Sequence, residues 1–379
     1  MSLDNRKTLA EIDLDNLAFN FRSIRGFVGE TVKILAVVKA DAYGHGAVEC
    51  SKRLETAGAD WFGVATIGEA VELRKASIRL PILYFRGYCP GDEDLLDEYD
   101  ITPILFDLDS ARALDRHAHQ AGRIANVHIK IDTGMGRVGV PFQDASEFAE
   151  KFSNFRNLNV DGIMTHFASA DDMQSDLTNE QMRRFANVVS IFHEKGFRPR
   201  VLDMANSPGA IGHPDSHATM IRAGGLLYGL GDDVLPSGIE RPELRPVMSL
   251  RSKIAFLKTV PAGSGIGYGQ TFTTSRESLI ASVPIGYYDG YRRCLSNKAR
   301  VLVKGRRVPL VGRISMDWIT IDVTDVEDVK KGDEVVLIGS SENNDVKAAE
   351  LARICDTISY EITCGISKRV PRIYRSEMM

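Results

Sequence analysis

The sequence predicts an α/β protein, with an N-terminal (β/α)8 barrel of the TIM type followed by a mostly β C-terminal domain. Three observations indicate this fold. The chain has 379 residues, 44% hydrophobic and 26% charged, which is enough for more than one folded unit with a substantial core. Its first two-thirds alternate short β-branched runs with longer stretches rich in Ala, Leu and charge. From about Pro236 onward, Pro and Gly become frequent and short β-rich runs follow one another.

The first part of the chain contains eight candidate strands. They lie at residues 33–39, 61–65, 80–85, 101–106, 126–131, 160–166, 200–205 and 219–223. Helical stretches such as 110–122 and 179–195 lie between them. Eight strand and helix units match a (β/α)8 barrel, which needs roughly 250 residues. A doubly wound open sheet is the alternative arrangement of the same units.

The second part of the chain contains short candidate strands at 278–283, 300–303 and 333–338, with one helix at 346–355. Residues 8–12 precede the first barrel strand and are candidates to pair with this β domain. We therefore expect a barrel over residues 9–236 and a mostly β domain over residues 237–379. Residues 1–12 are a candidate addition to the second domain.

Charge and hydropathy exclude several classes of partner. The 47 Lys and Arg against 51 Asp and Glu give a net charge of −4, so we expect no general attraction to nucleic acid or to an anionic membrane. No stretch approaches the roughly 20 apolar residues of a membrane span, and the first residues are charged rather than typical of a signal peptide. The sequence therefore predicts a cytoplasmic protein.

Cysteine and histidine patterns give no sign of a disulfide framework or a metal site. The five Cys are scattered and lack C-x-x-C spacing, which predicts reduced structural thiols. The eight His are also dispersed, and without clustered ligands we predict no metal.

Lys39 is the first candidate for chemistry. Active sites of (β/α)8 barrels lie at the carboxyl ends of the strands, and the apolar residues 34–38 are followed directly by Lys39. A lysine leaving a buried strand is costly to keep charged, so we expect a lowered pKa or a covalent partner, and a Schiff base suits both. The alternative is a lysine whose head group reaches solvent at the strand end.

Residues 36–46, which read AVVKADAYGHG, closely resemble the pyridoxal-phosphate lysine motif of the alanine racemase family. Further segments resemble that family's barrel signatures in the same order: 128–139 (HIKIDTGMGRVG), 165–171 (THFASAD), 205–207 (ANS) and 222–229 (RAGGLLYG). Segments 267–272 (GYGQTF), 286–290, 312–317 (GRISMD) and 360–361 resemble its β-domain signatures. The resemblance spans nearly the whole chain and implies the same barrel followed by a β domain.

The resemblance implies a site for pyridoxal 5'-phosphate. Lys39 would carry the cofactor as an internal aldimine. The family's phosphate-binding positions are occupied by Tyr43, Ser207, the backbone near Gly224, and Tyr360. Arg222 would face the pyridine nitrogen, and because arginine only donates, it would disfavour a proton there. His166 would pack beneath the cofactor ring and contact Arg222.

Racemisation needs two bases on opposite faces of the α-carbon. By resemblance, Lys39 serves the D-enantiomer and Tyr268 serves the L-enantiomer. Tyrosine's usual pKa, about 10, would have to be lowered or compensated for this role. In the family the neighbouring subunit supplies this tyrosine, which implies a homodimer with shared active sites. Met316 and Asp317 would belong to the same contribution to the substrate pocket.

Two further cationic residues follow from the resemblance. Arg137 would contact the cofactor's phenolic oxygen and the substrate carboxylate. Lys130 lies near it, at the end of the fifth strand, and two neighbouring cations need a reason to coexist. A carbamate on Lys130, as in many family members, would turn this lysine into an anion that orients Arg137. We treat the carbamate as a hypothesis.

The resemblance implies an enzyme that interconverts L-alanine and D-alanine through an external aldimine and supplies D-alanine for bacterial peptidoglycan. Ser315, Tyr288 and Trp318 depart from common family residues near the entrance. They leave open a racemase of different or broader range, such as serine or lysine. A non-catalytic pyridoxal-phosphate carrier and a fold-related decarboxylase also stay open as functions, although the carriers lack a β domain.

Overall fold

The computed structural model describes residues 7–236 and 238–376. Residues 1–6, Ser237 and residues 377–379, which fall within the predicted domain ranges, lie outside the described residues. No helix within the described ranges combines the length and the apolar character needed to cross a membrane. In the same part of the chain, no group of three or more His, Cys, Asp or Glu side chains is placed to hold a metal ion.

The N-terminal part alternates strands and helices. Its strands are β1 (Leu9–Asp13), β2 (Lys33–Val37), β3 (Trp61–Val64), β4 (Ile82–Tyr84), β5 (Ile101–Leu105), β6 (Ala125–Asp132), β7 (Val140–Pro141), β8 (Leu158–Met164), β9 (Val201–Asp203) and β10 (Met220–Ala223). Its helices are α1 (Leu14–Val28), α2 (Lys39–Gly44), α3 (Ala47–Ala57), α4 (Ile67–Lys75), α5 (Glu93–Glu98), α6 (Leu108–Gln120), α7 (Ala145–Phe152), α8 (Leu177–Glu194) and α9 (Ser207–Gly212).

Eight parallel strands close into a barrel. The strand order is β5-β4-β3-β2-β10-β9-β8-β6, and β5 also pairs with β6, which closes the sheet. Each of the eight strands overlaps one predicted from the sequence, so the predicted barrel is confirmed and the open sheet is wrong. Apolar side chains from seven of the strands fill the interior: Leu35, Val37, Trp61, Leu83, Ile104, Met164, Val201 and Met220. This packed interior leaves the strand ends as the place for a site.

The C-terminal part is mostly β. Its strands are β11 (Met248–Lys253), β12 (Phe256–Val260), β13 (Gly265–Ile266), β14 (Phe272–Thr273), β15 (Ser278–Val283), β16 (Arg300–Val303), β17 (Arg306–Pro309), β18 (Ile319–Asp322), β19 (Glu334–Ser341), β20 (Asn344–Val346) and β21 (Arg372–Arg375). Its helices are α10 (Ala348–Ile354) and α11 (Ser359–Cys364). The predicted mostly β domain is confirmed.

The first strand of the chain belongs to the β domain. Strand β1 pairs antiparallel with β11 and parallel with β21, inside a sheet of order β17-β16-β19-β11-β1-β21. Alternate residues of β1, Ala10 and Ile12, are buried, as expected for a strand with one face on the core. Asp13 then caps α1 by accepting the Asn16 amide at 2.8 Å. Residues Leu9–Asp13 therefore belong to a sheet of the β domain, as expected for a segment that pairs with it.

A disulfide corrects one expectation. Cys294 and Cys355 are joined, with 5.7 Å between their Cα atoms, so the prediction of reduced thiols is wrong for these two residues. They are 61 positions apart in sequence, and only the packing of the β domain brings the turn Arg293–Leu295 against the end of α10. Spacing along the chain gives no signal of this contact. Cys50, Cys89 and Cys364 are free thiols.

Candidate active site

The candidate active site lies at the mouth of the barrel, where the carboxyl ends of the parallel strands meet. Seven predicted residues lie on these strand ends or in the segments that follow them: Lys39, Lys130, Arg137, His166, Ser207, Arg222 and Gly224. Tyr43 lies in α2, and Tyr360 lies in α11, which packs against α2. The structure therefore brings nine of the predicted site residues to one end of the barrel.

Lys39 opens a turn of left-handed helix. The four residues from Ala40 to Tyr43 have φ angles of 53° to 55°, although none is glycine. Each such residue costs roughly 1–2 kcal/mol relative to a right-handed conformation. Glu69, which also caps α4, accepts the Ala40 amide at 2.8 Å, and α11 packs on the other side. Backbone strain of this kind is typical of functional sites, and it persists here because these contacts hold the turn after Lys39 in place.

The surroundings of Lys39 favour its neutral amine. Burial lowers the pKa of Lys39, the charges of Arg137 and Arg222 lower it further, and the Glu69 carboxylate acts in the opposite direction. A neutral amine is the form that attacks a carbonyl and the form that accepts a proton. The lowered pKa agrees with the expectation for a lysine that leaves an apolar strand.

Arg222 and His166 form a fixed pair in the floor of the site. The Nη2 atom of Arg222 donates to Nδ1 of His166 at 3.1 Å and to the Thr165 carbonyl at 3.0 Å. Because arginine has no acceptor, Nδ1 of His166 must accept, so its ring carries a proton on Nε2 only. Burial, followed by the charge of Arg222, lowers the pKa of His166 to about 2. His166 is therefore neutral at physiological pH.

Three hydroxyl side chains gather around the backbone of Gly224 and Gly225. Ser207 Oγ accepts the Gly224 amide at 3.0 Å. A Cβ added at Gly224 would lie 2.6 Å from the Tyr43 hydroxyl, and one added at Gly225 would lie 2.2 Å from the Tyr360 ring. Burial raises the pKa of both tyrosines, so both hydroxyls keep their protons and can donate. Such a cluster of donors, open only beside glycine, can hold a phosphate-like anion.

Lys130 and Arg137 are two further basic side chains near Lys39. Lys130 is 5% exposed, and its burial lowers its pKa well below the usual value. Arg137 lies on an exposed loop between β6 and β7, which Asp132 folds by accepting two loop amides at 2.9 and 3.1 Å. The charge of Arg137 acts on both lysines.

Three of the predicted site residues lie elsewhere, on the surface of the β domain: Tyr268, Met316 and Asp317. Tyr268 is 70% exposed, and no hydrogen bond of its hydroxyl is found within residues 7–236 and 238–376. Met316 and Trp318 are also exposed. We call the surface formed by Tyr268, Met316 and Trp318 the Tyr268 face. The cleft beside Tyr268, about 710 Å³, is lined by β-domain residues. Asp317 pairs with Arg369.

Two residues that hydrogen-bond to the site residues were missed from the sequence. Asp203, at the end of β9, is fully buried and accepts a hydrogen bond from Nη1 of Arg222. Its signal was a carboxylate inside the apolar strand that precedes the ANS segment. Gln181 on α8 is also fully buried and donates to the His166 carbonyl at 3.0 Å. No sequence pattern distinguishes Gln181 from the rest of the polar helix residues.

The closed barrel, the added β domain and the desolvated lysine at the barrel mouth define a class of protein, a two-domain barrel with a candidate catalytic lysine at the strand ends. The family model of the alanine racemase N-terminal domain matches residues 12–232, and that of the C-terminal domain matches residues 247–374. The chain belongs to the alanine racemase family, and the resemblance read from its motifs is confirmed.

Individual relatives match over nearly their whole length. An alanine racemase from Geobacter sulfurreducens is 46% identical over 378 residues, covering 98% of each chain. Among solved structures, the alanine racemase from the D-cycloserine producer Streptomyces lavendulae has a TM-score of 0.92 and 35% identity, covering 98% of both chains. The alanine racemase from Bartonella henselae, described with covalently bound pyridoxal phosphate, has a TM-score of 0.87 and 29% identity. It covers 97% of this chain and 99% of the other.

Proposed function

We propose that this protein is a homodimeric enzyme that interconverts L-alanine and D-alanine with pyridoxal 5'-phosphate held at the barrel mouth. One observation carries the proposal: three groups converge at the barrel mouth. They are a desolvated lysine, a neutral histidine bound to a buried arginine, and a cradle formed by the hydroxyls of Tyr43, Ser207 and Tyr360. The D-alanine formed would serve bacterial peptidoglycan.

The residues at the mouth fit the cofactor. The cradle of Tyr43, Ser207, Gly224 and Tyr360 has room only where a Cβ is missing, and its hydroxyls donate to an anion, which matches the phosphate. When bound, pyridoxal phosphate supplies an electron-withdrawing ring that makes the α-hydrogen of an attached amino acid acidic. Lys39 would hold the cofactor covalently through Nζ, because its neutral amine is the nucleophile that forms a Schiff base.

Lys39 is the base on one face of the substrate. Its amine would take or return a proton at the α-carbon of the bound amino acid. Its lowered pKa lets it work as a base at physiological pH. Arg137 would hold the substrate carboxylate, and Arg222 would face the pyridine nitrogen with donors only, which disfavours a proton on that nitrogen.

Tyr268 is the base on the opposite face, and the partner subunit's Tyr268 would supply it. Its 70% exposure and its place in a cleft lined by β-domain residues support a role outside its own barrel mouth. Met316 and Asp317 would reach the substrate pocket with it. In this arrangement Arg369 holds the Asp317 carboxylate, so Asp317 would shape the pocket rather than carry a free charge.

The domains divide these tasks. The barrel, predicted over residues 9–236, would hold the cofactor, and residues 237–379 would supply the second base together with strand β1, which pairs in the β-domain sheet. A carbamate on Lys130 would orient Arg137, since the lowered pKa of Lys130 leaves the neutral amine that reacts with carbon dioxide. Intact mass under native conditions tests this last point, because a carbamate adds carbon dioxide and a free amine adds nothing.

The test of the function is solvent-deuterium exchange. Purified protein loaded with pyridoxal phosphate is placed in deuterium oxide with L-alanine, and NMR follows the α-hydrogen while chiral analysis follows the product. We expect loss of the α-hydrogen signal together with D-alanine. A protein that binds the cofactor but exchanges neither enantiomer of alanine contradicts the proposal.

A racemase of different amino-acid range is the alternative, which Tyr288 and Trp318 at the exposed surface favour. The same exchange measured with serine and lysine distinguishes it, because kcat/KM for alanine would then be the smaller value.

A further inference from the structure

A buried carboxylate lies behind the arginine of the site. Asp203 at the end of β9 and Arg222 on the neighbouring strand β10 are 0% and 4% exposed. Oδ1 of Asp203 accepts a hydrogen bond from Nη1 of Arg222. Asp203 is therefore part of the floor of the barrel mouth although it has no contact with the cradle of hydroxyls in the described residues.

The pair is not placed for stability alone. Taking two charges out of water costs several kcal/mol per ion, and a buried pair regains this only with good geometry and full hydrogen bonding. Here Oδ2 of Asp203 is buried and has no hydrogen-bond partner in the described residues. An apolar pair of similar size would often be as stable at such a position. Because the buried pair is present despite its desolvation cost, the carboxylate of Asp203 is expected to have a role besides stability.

That task is visible in the remaining contacts of the guanidinium. Its Nη2 atom donates to the Thr165 carbonyl at 3.0 Å, the Met204 carbonyl at 3.1 Å and His166 Nδ1 at 3.1 Å. With Asp203 on Nη1, the group is held from the ends of β8 and β9 while its own chain lies on β10. The rotation of the guanidinium is thereby fixed, and its Nε edge is left without a partner among these contacts.

Asp203 also balances charge. The other basic side chains around Arg222 are Lys39, Lys130 and Arg137, and the charge of Arg222 lowers the pKa of both lysines. His166 is neutral, and two other described carboxylates act on the lysines: Asp132, which folds its own loop, acts on Lys130, and Glu69, which caps α4, acts on Lys39. Asp203 is the carboxylate that Arg222 contacts directly.

We propose that Asp203 is a positioning residue that acts through Arg222, fixing both the direction and the charge balance of the guanidinium where the cofactor's ring nitrogen would lie. This inference rests on the proposed function. The carboxylate does not touch the substrate, so its removal acts on the environment of the cofactor rather than on substrate binding.

The test uses Asp203→Asn, which keeps the shape and removes the charge. The absorbance of the protein loaded with pyridoxal phosphate is followed against pH. Losing a negative charge makes the surroundings of Lys39 more positive, so we expect the midpoint of the absorbance change to fall by about one pH unit. We expect kcat to fall roughly tenfold to hundredfold with little change in KM for alanine, as when a reacting group is misplaced slightly.

Two controls separate this role from a structural one. Asp161 is another buried barrel carboxylate, paired with Arg200 at 2.5 Å beside the start of β9, and Asp161→Asn should leave the absorbance midpoint unchanged. In an Arg222→Lys background, Asp203→Asn should shift the midpoint much less than in the wild type, because the two changes share one contact. Asp203→Ser is a second variant in case Asn does not fold, and the same shift is expected.

An unchanged midpoint and kcat in folded Asp203→Asn and Asp203→Ser would overturn the inference while the wild type still racemises alanine. A wild-type protein that binds no pyridoxal phosphate would instead overturn the proposed function, and the inference with it.

Discussion

The barrel mouth and the Tyr268 face differ in how completely one chain builds them. At the mouth, charges are buried and paired: Arg222 contacts both Asp203 and His166, and burial lowers the pKa of Lys39. On the Tyr268 face, an aromatic hydroxyl points outward at 70% exposure without a partner in the described residues. A base must lie within hydrogen-bond reach of the proton it takes. The difference supports the proposal that one chain builds the binding half of the site and that a second copy would supply the second base.

The largest expected effect is the loss of activity when the barrel mouth is altered. Lys39→Ala removes the amine that would hold the cofactor and take a proton, so we expect no measurable racemisation and no covalent cofactor absorbance. Activity assays and absorbance spectra of the loaded protein check both. Lys33→Ala is the matched control, because Lys33 is exposed at the opposite end of the same strand. Retained racemisation in Lys39→Ala would remove this residue from the mechanism.

The next largest effect is expected from a change on the Tyr268 face. Tyr268→Phe removes one hydroxyl and leaves the barrel mouth intact, so we expect kcat to fall about 10²- to 10⁴-fold while cofactor absorbance stays normal. Steady-state rates in both directions provide the measurement. Tyr99→Phe, at the end of α5, loses the same group away from both regions and should keep full activity. Normal turnover of Tyr268→Phe in both directions would refute the two-base scheme.

How far the sequence predicted these regions depends on whether the information is local. Strand bounds were found closely, and β15 and β16 match the prediction residue for residue, because β-branched runs bounded by turn residues are local signals. Lys39 was singled out because a cation that leaves an apolar strand needs an explanation, and Arg222 was singled out by a short segment that resembles the family's signature. These signals need no knowledge of the rest of the fold.

The remainder depended on distant contacts. Asp203 gains its meaning only from the neighbouring strand, and Cys294 and Cys355 meet only once the β domain is packed. The left-handed turn from Ala40 to Tyr43 contains no glycine, so no residue type marks it. It is stabilised by contacts from α4 and α11.

A third change tests how much the disulfide next to the Tyr268 face contributes to stability. The segment after Cys294 supports this face: Asn297 Nδ2 donates to Thr271 Oγ1 at 3.0 Å, and Ser296 Oγ accepts the Ile314 amide at 3.0 Å. Cys294→Ser should lower the free energy of unfolding by about 4 kcal/mol, the loop-entropy value for 61 residues. Urea unfolding with and without reductant measures it, and Cys89→Ser is the control. Identical stability of wild type and Cys294→Ser would mean that the disulfide contributes nothing.

The smallest expected effect concerns the pH dependence of stability at the barrel mouth. His45 is fully buried beside the left-handed turn, and its Nδ1 donates to the Ala42 carbonyl at 2.9 Å. Burial lowers the pKa of His45 to about 4, below the unfolded value of about 6.5. The unfolded chain therefore binds the proton first, and stability falls as pH drops through this window. At pH 5, His45 should cost about 2 kcal/mol relative to neutral pH.

Urea unfolding at several pH values, compared between wild type and His45→Gln, measures this contribution. The variant should be less stable at pH 7 and should lose less stability toward pH 5. Parallel pH dependence in the two proteins would assign the acid sensitivity to different groups, such as His166.

The most direct test of the shared site mixes two inactive variants. Lys39→Ala and Tyr268→Phe proteins are unfolded together, refolded as mixed dimers, loaded with pyridoxal phosphate and assayed for racemisation of alanine. A site built across the dimer predicts recovery to about a quarter of wild-type activity, because random pairing makes half the dimers mixed and each mixed dimer has one native site of two. A mixture as inactive as each variant alone would place Lys39 and Tyr268 in the same chain's site and contradict the account.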